Sequence, residues 1–172
     1  STTQAFTITI TNTNDAPTVS SAISDASTAE DAAYSSDISG NFADVDASTT
    51  LTYSATGMPS TLTMSTAGVL SGTPVNANVG THSVVVTASD GTATVSDTFV
   101  LTVTNTNDAP TVSSAISDAS TAEDAAYSSD ISGNFADVDT DDTLTYSATG
   151  MPSTLPTSTA GVLTGTPVNE RL

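Results

Sequence analysis

Apolar and polar residues alternate along short stretches of the chain, and turn residues separate these stretches. Large apolar residues occupy every second position from Phe99 to Val103, which is the period of a β-strand. The β-branched segment Thr81–Ala88 precedes it, and Asp90-Gly91 between the two is a turn signal. The pattern therefore predicts a β-hairpin.

Five further segments of the same character predict strands. They are Thr18–Ile23, Tyr34–Ile38, Leu51–Ala55, Thr61–Met64 and Gly68–Leu70. Turn residues separate the segments, as at Asp25–Thr28, and the alanine-rich piece Ala26–Ala33 allows a brief helical turn. Seven short strands without sustained helical periodicity predict an all-β fold, a seven-stranded Greek-key β-sandwich.

The chain is also a tandem repeat. The same seven residues stand at Thr11–Pro17 and at Thr104–Pro110, so the period is 110 minus 17, or 93 residues, the size of one small sandwich. We therefore divide the chain into three parts. Residues 1–13 are the last strand and linker of a preceding repeat, 14–106 are a complete repeat, and 107–172 are a second repeat that lacks its last two strands.

The incomplete second repeat leads to an expectation about partners. It should be partly disordered or completed by another chain, because unpaired strand edges recruit further strands. The segment Phe6–Ile10 aligns one period before Phe99–Val103 and is a natural donor, which predicts a homo-oligomer formed by strand exchange. The closing Glu170-Arg171-Leu172 departs from the repeat and looks like a divergent end.

Charge narrows the range of partners. Nineteen acidic residues face a single arginine and no lysine, for a formal net charge of −18. Nucleic acid and anionic membrane surfaces are excluded as partners, because binding them needs clustered basic residues. No apolar run approaches the roughly 18 residues of a membrane span. Divalent cations relieve such self-repulsion most directly. The chain has no cysteine, which leaves its redox compartment undetermined.

Several motifs, in their order along the chain, resemble one family of repeats. They are Glu30, Phe42-Ala43-Asp44-Val45-Asp46, Leu51-Thr52-Tyr53, Gly68-Val69-Leu70-Ser71-Gly72-Thr73-Pro74, Thr87-Ala88-Ser89-Asp90-Gly91 and Asn105-Thr106-Asn107-Asp108-Ala109-Pro110. This order resembles the cadherin-like repeats of bacterial surface proteins, most closely the dystroglycan-type cadherin-like domain, also called a putative Ig-like domain. Such repeats occur in giant secreted adhesins and beside some polysaccharide-degrading enzymes.

The resemblance implies calcium at the domain junctions, and calcium prefers six to eight oxygen ligands. At the junction between the copies the implied ligands are Glu30, Asn105, Asn107, Asp108, Asp137 and Asp139. At the preceding joint they are Asn12, Asn14, Asp15, Asp44, Asp46 and Asp90. Asp137 and Asp139 would share one side of an extended segment, with Val138 pointing into the core.

Plainer interpretations stand beside this one. Asp and Asn in these loops can simply make turns and keep the protein in solution. Asp137–Asp142 begins like an EF-hand loop but lacks its sixth-position glycine, and Ala148 stands where the twelfth-position glutamate belongs. His82, the only histidine, has no partner suited to zinc or catalysis.

The sequence thus predicts a function without catalysis, since no enzyme constellation is present. The first hypothesis is an extracellular, calcium-binding repeat that rigidifies and extends a large adhesin at the bacterial cell surface, contacting neighbouring repeats of the same chain. The alternative is a binding module for polysaccharide or for further copies of itself. Clustered carboxylates would repel one another without metal, and an ion held from both sides of a linker would stiffen it.

Overall fold

The computed structural model describes residues 1–46 and 49–168. Its regular elements there are β-strands and three short 3-10 turns, at Ser39–Asn41, Asn76–Asn78 and Ser132–Asn134. The predicted all-β sandwich is therefore confirmed. The chain divides into two compact units, Ser1–Thr106 (unit 1) and Asn107–Leu172 (unit 2).

Unit 1 has two sheets that enclose a core. Its strands are β1 (Thr18–Val19), β2 (Ala26–Ala29), β3 (Tyr34–Asp37), β4 (Phe42–Ala43), β5 (Thr52–Thr56), β6 (Leu62–Met64), β7 (Val69–Gly72), β8 (Gly80–Ser89) and β9 (Thr94–Thr104). One sheet has the order β2-β9-β8-β5 and the other β3-β7-β6, while β1 pairs with β4. The pairs are antiparallel apart from β2 with β9, which is parallel.

The hairpin of β8 and β9 is the longest paired element, and it confirms the sequence prediction. Its register runs from Gly80 opposite Val103 to Ser89 opposite Thr94. Gly91 in the connection has φ +92°, a backbone conformation that glycine adopts without steric cost. Alternate side chains of the hairpin point inward, so these two strands form one wall of the core.

The core of unit 1 draws residues from both sheets. Its buried members are Ile38, Phe42, Tyr53, Leu62, Leu70, Val84, Val86, Ala88, Phe99 and Leu101. The rings of Phe42 and Tyr53 pack edge to face with centroids 5.8 Å apart. The chain has few aromatic residues, so hydrophobic burial stabilises unit 1 mainly through the aliphatic side chains of β7, β8 and β9.

The segment Ala26–Ala29 is a strand, so the prediction of a turn or a brief helical turn there is wrong. The segment pairs in parallel with Leu101–Thr104. Just before it, Oδ1 of Asp25 accepts the backbone N–H of Val100 at 2.7 Å; just after it, the N–H of Glu30 donates to the carbonyl of Thr104 at 3.0 Å. Partners about 75 residues away therefore override the helical preference of alanine.

Unit 2 forms only part of the same arrangement. Its strands are β10 (Thr111–Val112), β11 (Tyr127–Asp130), β12 (Phe135–Ala136) and β13 (Val162–Gly165). β10 pairs with β12 and β11 with β13, and Thr157 bridges to Leu163. Residues 119–122 and 145–149, which match β2 and β5, are not strands. In unit 1 those strands pair with β9 and β8, and unit 2 has no counterpart of either in its described residues.

The N-terminal segment Phe6–Ile10 is not a strand in the structure, contrary to expectation. Phe6, Ile8 and Ile10 are 82%, 73% and 92% exposed. A β9-type strand needs β2-type and β8-type neighbours, and in unit 1 those positions adjoin β9 itself. The divergent end Glu170-Arg171-Leu172 lies outside the described residues. Within the part of the chain that the structure describes, no helix is long and apolar enough to cross a membrane.

Candidate metal centres at the ends of the units

The linker before unit 1 is hydrogen-bonded to two loops at one end of the sandwich. Nδ2 of Asn12 donates to Oδ1 of Asp46 at 2.8 Å, and the backbone N–H of Asp15 donates to Oδ2 of the same carboxylate at 2.8 Å. Nδ2 of Asn14 donates to Oδ2 of Asp90 at 3.0 Å. The structure thus brings together five of the six residues expected at the preceding joint.

Asp44, the sixth residue, stabilises the loop that carries Asp46. Its Oδ1 accepts the backbone N–H of Asp46 at 2.8 Å, so the chain turns at Val45 instead of continuing as a strand. Val45 is 76% exposed as a result. The other oxygen of Asp44, Oδ2, is buried and has no hydrogen-bond partner among the described residues.

Asp90 lies in the turn between β8 and β9. Its Oδ1 accepts the backbone N–H groups of Thr92 and Ala93, each at 2.6 Å. These bonds stabilise the ionised carboxylate: the backbone N–H of Ala93, the side chain of Asn14 and the backbone N–H of Thr92 lower the pKa of Asp90. Asp90 is therefore a charged acceptor held in place next to the linker.

Glu30 lies at the other end of unit 1, where β2 and β9 finish. Its side chain is 1% exposed, and Oε1 accepts the backbone N–H of Thr106 at 3.1 Å. Oε2 is buried without a hydrogen-bond partner among the described residues. A carboxylate oxygen of the neighbouring Asp31 lies within 4.8 Å of one of Glu30. Asn105, also expected here, is exposed.

The residues at both ends of unit 1 fit a hard cation. Each end has a buried carboxylate oxygen, on Glu30 or Asp44, that has no hydrogen-bond partner within residues 1–46 and 49–168, and burying such a group uncompensated is costly. No lysine exists in the chain to neutralise it, and the single arginine lies outside the described residues. The surrounding donors are carboxylate, amide and carbonyl oxygens, which suit calcium and not a soft metal.

Unit 2 carries a cluster of three carboxylates at its N-terminal end. Oxygens of Asp137, Asp139 and Asp142 lie within 4.8 Å of one another, and Asp139 is 3% exposed. The linker contacts this cluster, because the backbone N–H of Asp108 donates to Oδ2 of Asp139 at 2.7 Å. Asn107 is exposed, and its Nδ2 donates to the carbonyl of Asp108 at 2.7 Å.

The expected placement of Val138 in the core is wrong. Oδ1 of Asp137 accepts the backbone N–H of Asp139 at 3.0 Å, and this side-chain bond bends the chain. Val138 is 54% exposed. The two aspartates do share one side, but a turn brings them together instead of the alternation of a strand.

Two acidic residues at these ends were missed as members of the predicted ligand sets. Asp142 joins the cluster of unit 2, and its position in the first copy is Thr49. Asp31 stands beside Glu30 at φ +57°, held by its backbone N–H to the carbonyl of Pro74 at 2.8 Å. The signal for Asp142 was its nearness to Asp139 in sequence, whereas nothing local marked Asp31.

Comparison with known proteins identifies the type of domain. A family model described as "Putative Ig domain" matches residues 16–104 and again residues 109–171. The chain belongs to this family. The two matches are two Ig-like copies in tandem, and a search of curated proteins finds no match to the chain.

Solved structures similar to the Ig-like chain include parts of larger proteins. An endo-fucoidan hydrolase of glycoside hydrolase family 107 is 26% identical with a TM-score of 0.49, over 93% of this chain and 26% of the hydrolase. A SusE-like surface located polysaccharide binding protein from Bacteroides thetaiotaomicron is 21% identical over 48% of this chain and 14% of its own, with a TM-score of 0.37. The titin domains z1z2, in complex with telethonin, are 12% identical over 90% of this chain and 82% of theirs, with a TM-score of 0.39. The chain thus spans about a quarter of the length of the hydrolase.

Proposed function

We propose that this Ig-like chain is a calcium-binding structural repeat of a large extracellular adhesin at the bacterial cell surface. In this role calcium occupies the carboxylate-rich ends of the units and fixes the linkers that join them. The repeats then act as a stiff spacer along the chain. Their contribution is mechanical and electrostatic, and no catalytic step is assigned to them.

The observation that carries this proposal is the buried carboxylate of Glu30. A charged oxygen withdrawn from water without a partner costs roughly 1–3 kcal/mol or more. Oε2 of Glu30 is in that position among the described residues. A bound cation would compensate this charge, and the neighbouring Asp31 would supply further oxygen ligands within reach.

The linkers support the mechanical part of the proposal. In unit 1, Asp46 accepts hydrogen bonds from Asn12 and Asp15 of the preceding linker. In unit 2, Asp139 accepts one from Asp108. These carboxylates therefore already touch the chain segments that must bend if the repeats are to move. An ion bound to the same oxygens would oppose that bending.

The expected affinity is that of an extracellular module. Several of the carboxylate oxygens already accept hydrogen bonds from amides. Calcium must displace these amide donors or share the oxygens with them. Extracellular calcium modules bind with dissociation constants of about 10⁻⁴ to 10⁻³ M, whereas intracellular sensors bind more tightly. A weak site of this kind would be filled outside the cell and empty inside it.

Calorimetric titration tests the proposal. Calcium should bind with a millimolar or lower dissociation constant and raise the thermal midpoint, while magnesium at equal concentration should do less because it dehydrates reluctantly. At ten times the dissociation constant the linked stabilisation is about 1.4 kcal/mol. Small-angle scattering in calcium should also show a more extended particle than in chelator. Absence of both heat and a shift in the thermal midpoint would refute the proposal.

Binding of polysaccharide is the alternative, and the aromatic residues give it no platform. All eight phenylalanines and tyrosines lie in the described residues. Phe42, Tyr53 and Phe99 are buried in the core, and Phe6 alone of the eight is exposed. Sugar recognition by stacking needs exposed rings in a row. We therefore expect no retention on insoluble polysaccharides.

A further inference from the structure

We infer that unit 1 carries tensile load along the chain, and that the parallel pairing of β2 with β9, called here the clamp, resists its unfolding under tension. This function goes beyond the proposed stiffening by calcium, which concerns the bending of the linkers. The clamp consists of contacts within unit 1 and requires no metal. Either proposal can therefore fail without the other.

The chain enters and leaves the clamp at opposite ends. β2 and β9 run parallel where Ala26–Ala29 pairs with Leu101–Thr104. The preceding chain reaches β2 at Ala26, whereas the following chain leaves β9 at Thr104. Tension on the chain therefore pulls the two strands in opposite directions along their axes. The hydrogen bonds of the pair run between the strands, across the direction of pull, so they must break together instead of one after another.

Strand β1 lies before the clamp and offers less resistance. It pairs with β4 at two positions, Thr18 with Ala43 and Val19 with Phe42. The clamp has four paired positions, and side chains add further hydrogen bonds at its ends. Once β1 detaches from β4, the tension passes to the clamp.

Two aspartates outside the candidate metal centres hold the N-terminal end of the clamp. Oδ1 of Asp25 accepts the backbone N–H of Val100 at 2.7 Å, so the residue before β2 is bonded to the middle of β9. Oδ2 of Asp97, which lies on β9, accepts the backbone N–H of Ile23 at 2.7 Å. Hydrogen bonds accepted by a carboxylate are stronger than those between neutral groups. These two bonds therefore share the load with the backbone pairs of β2.

The C-terminal end of the clamp is bonded in a similar way. The backbone N–H of Glu30 donates to the carbonyl of Thr104 at 3.0 Å. Oγ1 of Thr104 donates to the carbonyl of Thr28 at 3.4 Å. Both bonds join β2 to the last residue of β9, where the tension leaves the pair. The four paired positions thus lie between bonds at both ends.

Single-molecule pulling on the full chain tests the clamp, because the chain has no cysteine and handles can be attached at introduced ones. Thr11→Cys and Ala109→Cys are exposed positions before and after unit 1 in the sequence, so they load the clamp in shear. Residues 110–172 then lie outside the loaded segment. Chelator is present throughout, so that no bound cation contributes.

Handles at Thr11→Cys and Thr92→Cys provide the matched direction. Thr92 is exposed and lies just before β9, so this pair pulls on the same end of both strands and unzips their bonds one at a time. At equal constant force, folded unit 1 should survive at least about a hundredfold longer in shear, because the contributions of several hydrogen bonds add when they break together. A lifetime that does not depend on direction would overturn the inference. This comparison leaves every residue of the clamp unchanged.

Asp25→Ala, pulled in shear, tests the bond at the N-terminal end. Val100 loses its carboxylate acceptor, so the lifetime at equal force should fall about tenfold. Asp37→Ala is the matched control, since Oδ1 of Asp37 accepts the backbone N–H of Ser39 at 3.0 Å but β3 belongs to the other sheet. It removes the same charge and the same kind of bond, and should change the lifetime less than about twofold. Equal losses from the two variants would refute the role of Asp25 in the clamp.

Discussion

The backbone N–H of Thr106 donates a 3.1 Å hydrogen bond to Oε1 of Glu30, across 76 positions of sequence. This bond fixes the start of the linker to the base of unit 1. It satisfies one oxygen of a carboxylate whose other oxygen is buried without a partner among the described residues. Glu30 therefore has a structural role and also belongs to the candidate metal centre. Its burial depends on β9, which passes beside it.

Replacing Glu30 by glutamine should separate the structural role of this side chain from its charge. In chelator, Glu30→Gln should raise the free energy of unfolding of unit 1 by roughly 1–3 kcal/mol, because the uncompensated buried charge is removed and Oε1 still accepts from Thr106. In the presence of calcium, the ion should stabilise Glu30→Gln less than it stabilises the wild type. Urea unfolding in both conditions measures the two effects.

The second copy contains the matched control for this variant. Glu123 lies in the same sequence context as Glu30 but is exposed. Glu123→Gln should change the free energy of unfolding by less than about 0.5 kcal/mol. A loss of stability in chelator on Glu30→Gln would contradict the expected gain from removing the buried charge.

Hydrogen exchange should distinguish identical sequences in the two copies. Ala26–Ala29 and Ala119–Ala122 both read Ala-Ser-Thr-Ala, so their intrinsic exchange rates are alike. The first is a strand paired with β9, and the second is exposed and unpaired. At concentrations where the chain is monomeric, amides of the first should exchange at least about a hundredfold more slowly, which is about 2.8 kcal/mol. Equal protection would contradict the structure of unit 2.

The same comparison shows what the sequence could predict and what it could not. The hairpin of β8 and β9 was predictable because its alternation and its Asp90-Gly91 turn are local signals. Ala26–Ala29 was not, since small residues carry little strand preference and the pairing partner lies about 75 residues away. One sequence is a strand in unit 1 and not in unit 2, so no local rule could have predicted both.

The candidate site was likewise predictable from the sequence only in part. The resemblance to cadherin-like repeats implied that Asn12, Asn14 and Asp15 lie near Asp46 and Asp90, and their hydrogen bonds agree with that placement. Val138 was placed wrongly, because a side-chain hydrogen bond to the backbone bent a segment that its neighbours suggested was extended. The burial of Glu30 likewise arises from tertiary packing that its exposed counterpart lacks.

Asp142 should make the site of unit 2 stronger than that of unit 1. Asp142→Thr restores the residue of the first copy and removes one carboxylate from the cluster with Asp137 and Asp139. The variant should weaken calcium binding about tenfold at unit 2, since affinity follows the number of charged ligands. Asp141→Thr makes the same change of charge outside the cluster and should have a small effect. Calorimetry that shows equal losses for both variants would exclude Asp142 as a ligand.

The pKa of Asp90 should report on the linker contact without any metal. Its pKa lies below the ordinary value of 3.8, first because of the backbone N–H of Ala93 and then because of Asn14 and Thr92. A depressed pKa means that the ionised group stabilises the folded state above pH 3.8, and that this contribution disappears as the pH falls through the lowered pKa. Asn14→Ala should raise the pKa of Asp90 toward 3.8, so that the loss begins at a higher pH.

Carboxyl carbon shifts followed by NMR between neutral and acidic pH measure this change, and Asp37 and Asp130 are internal controls. Their pKa values are lowered by Ser39 and Ser132, two positions along the chain in each copy, and neither contact involves Asn14. Asn14→Ala should therefore leave both unchanged while Asp90 moves. If the pKa of Asp90 also stays in place, the linker is not held at the β8–β9 turn in solution. The calcium-free joint would then be looser than the contacts of Asn14 indicate.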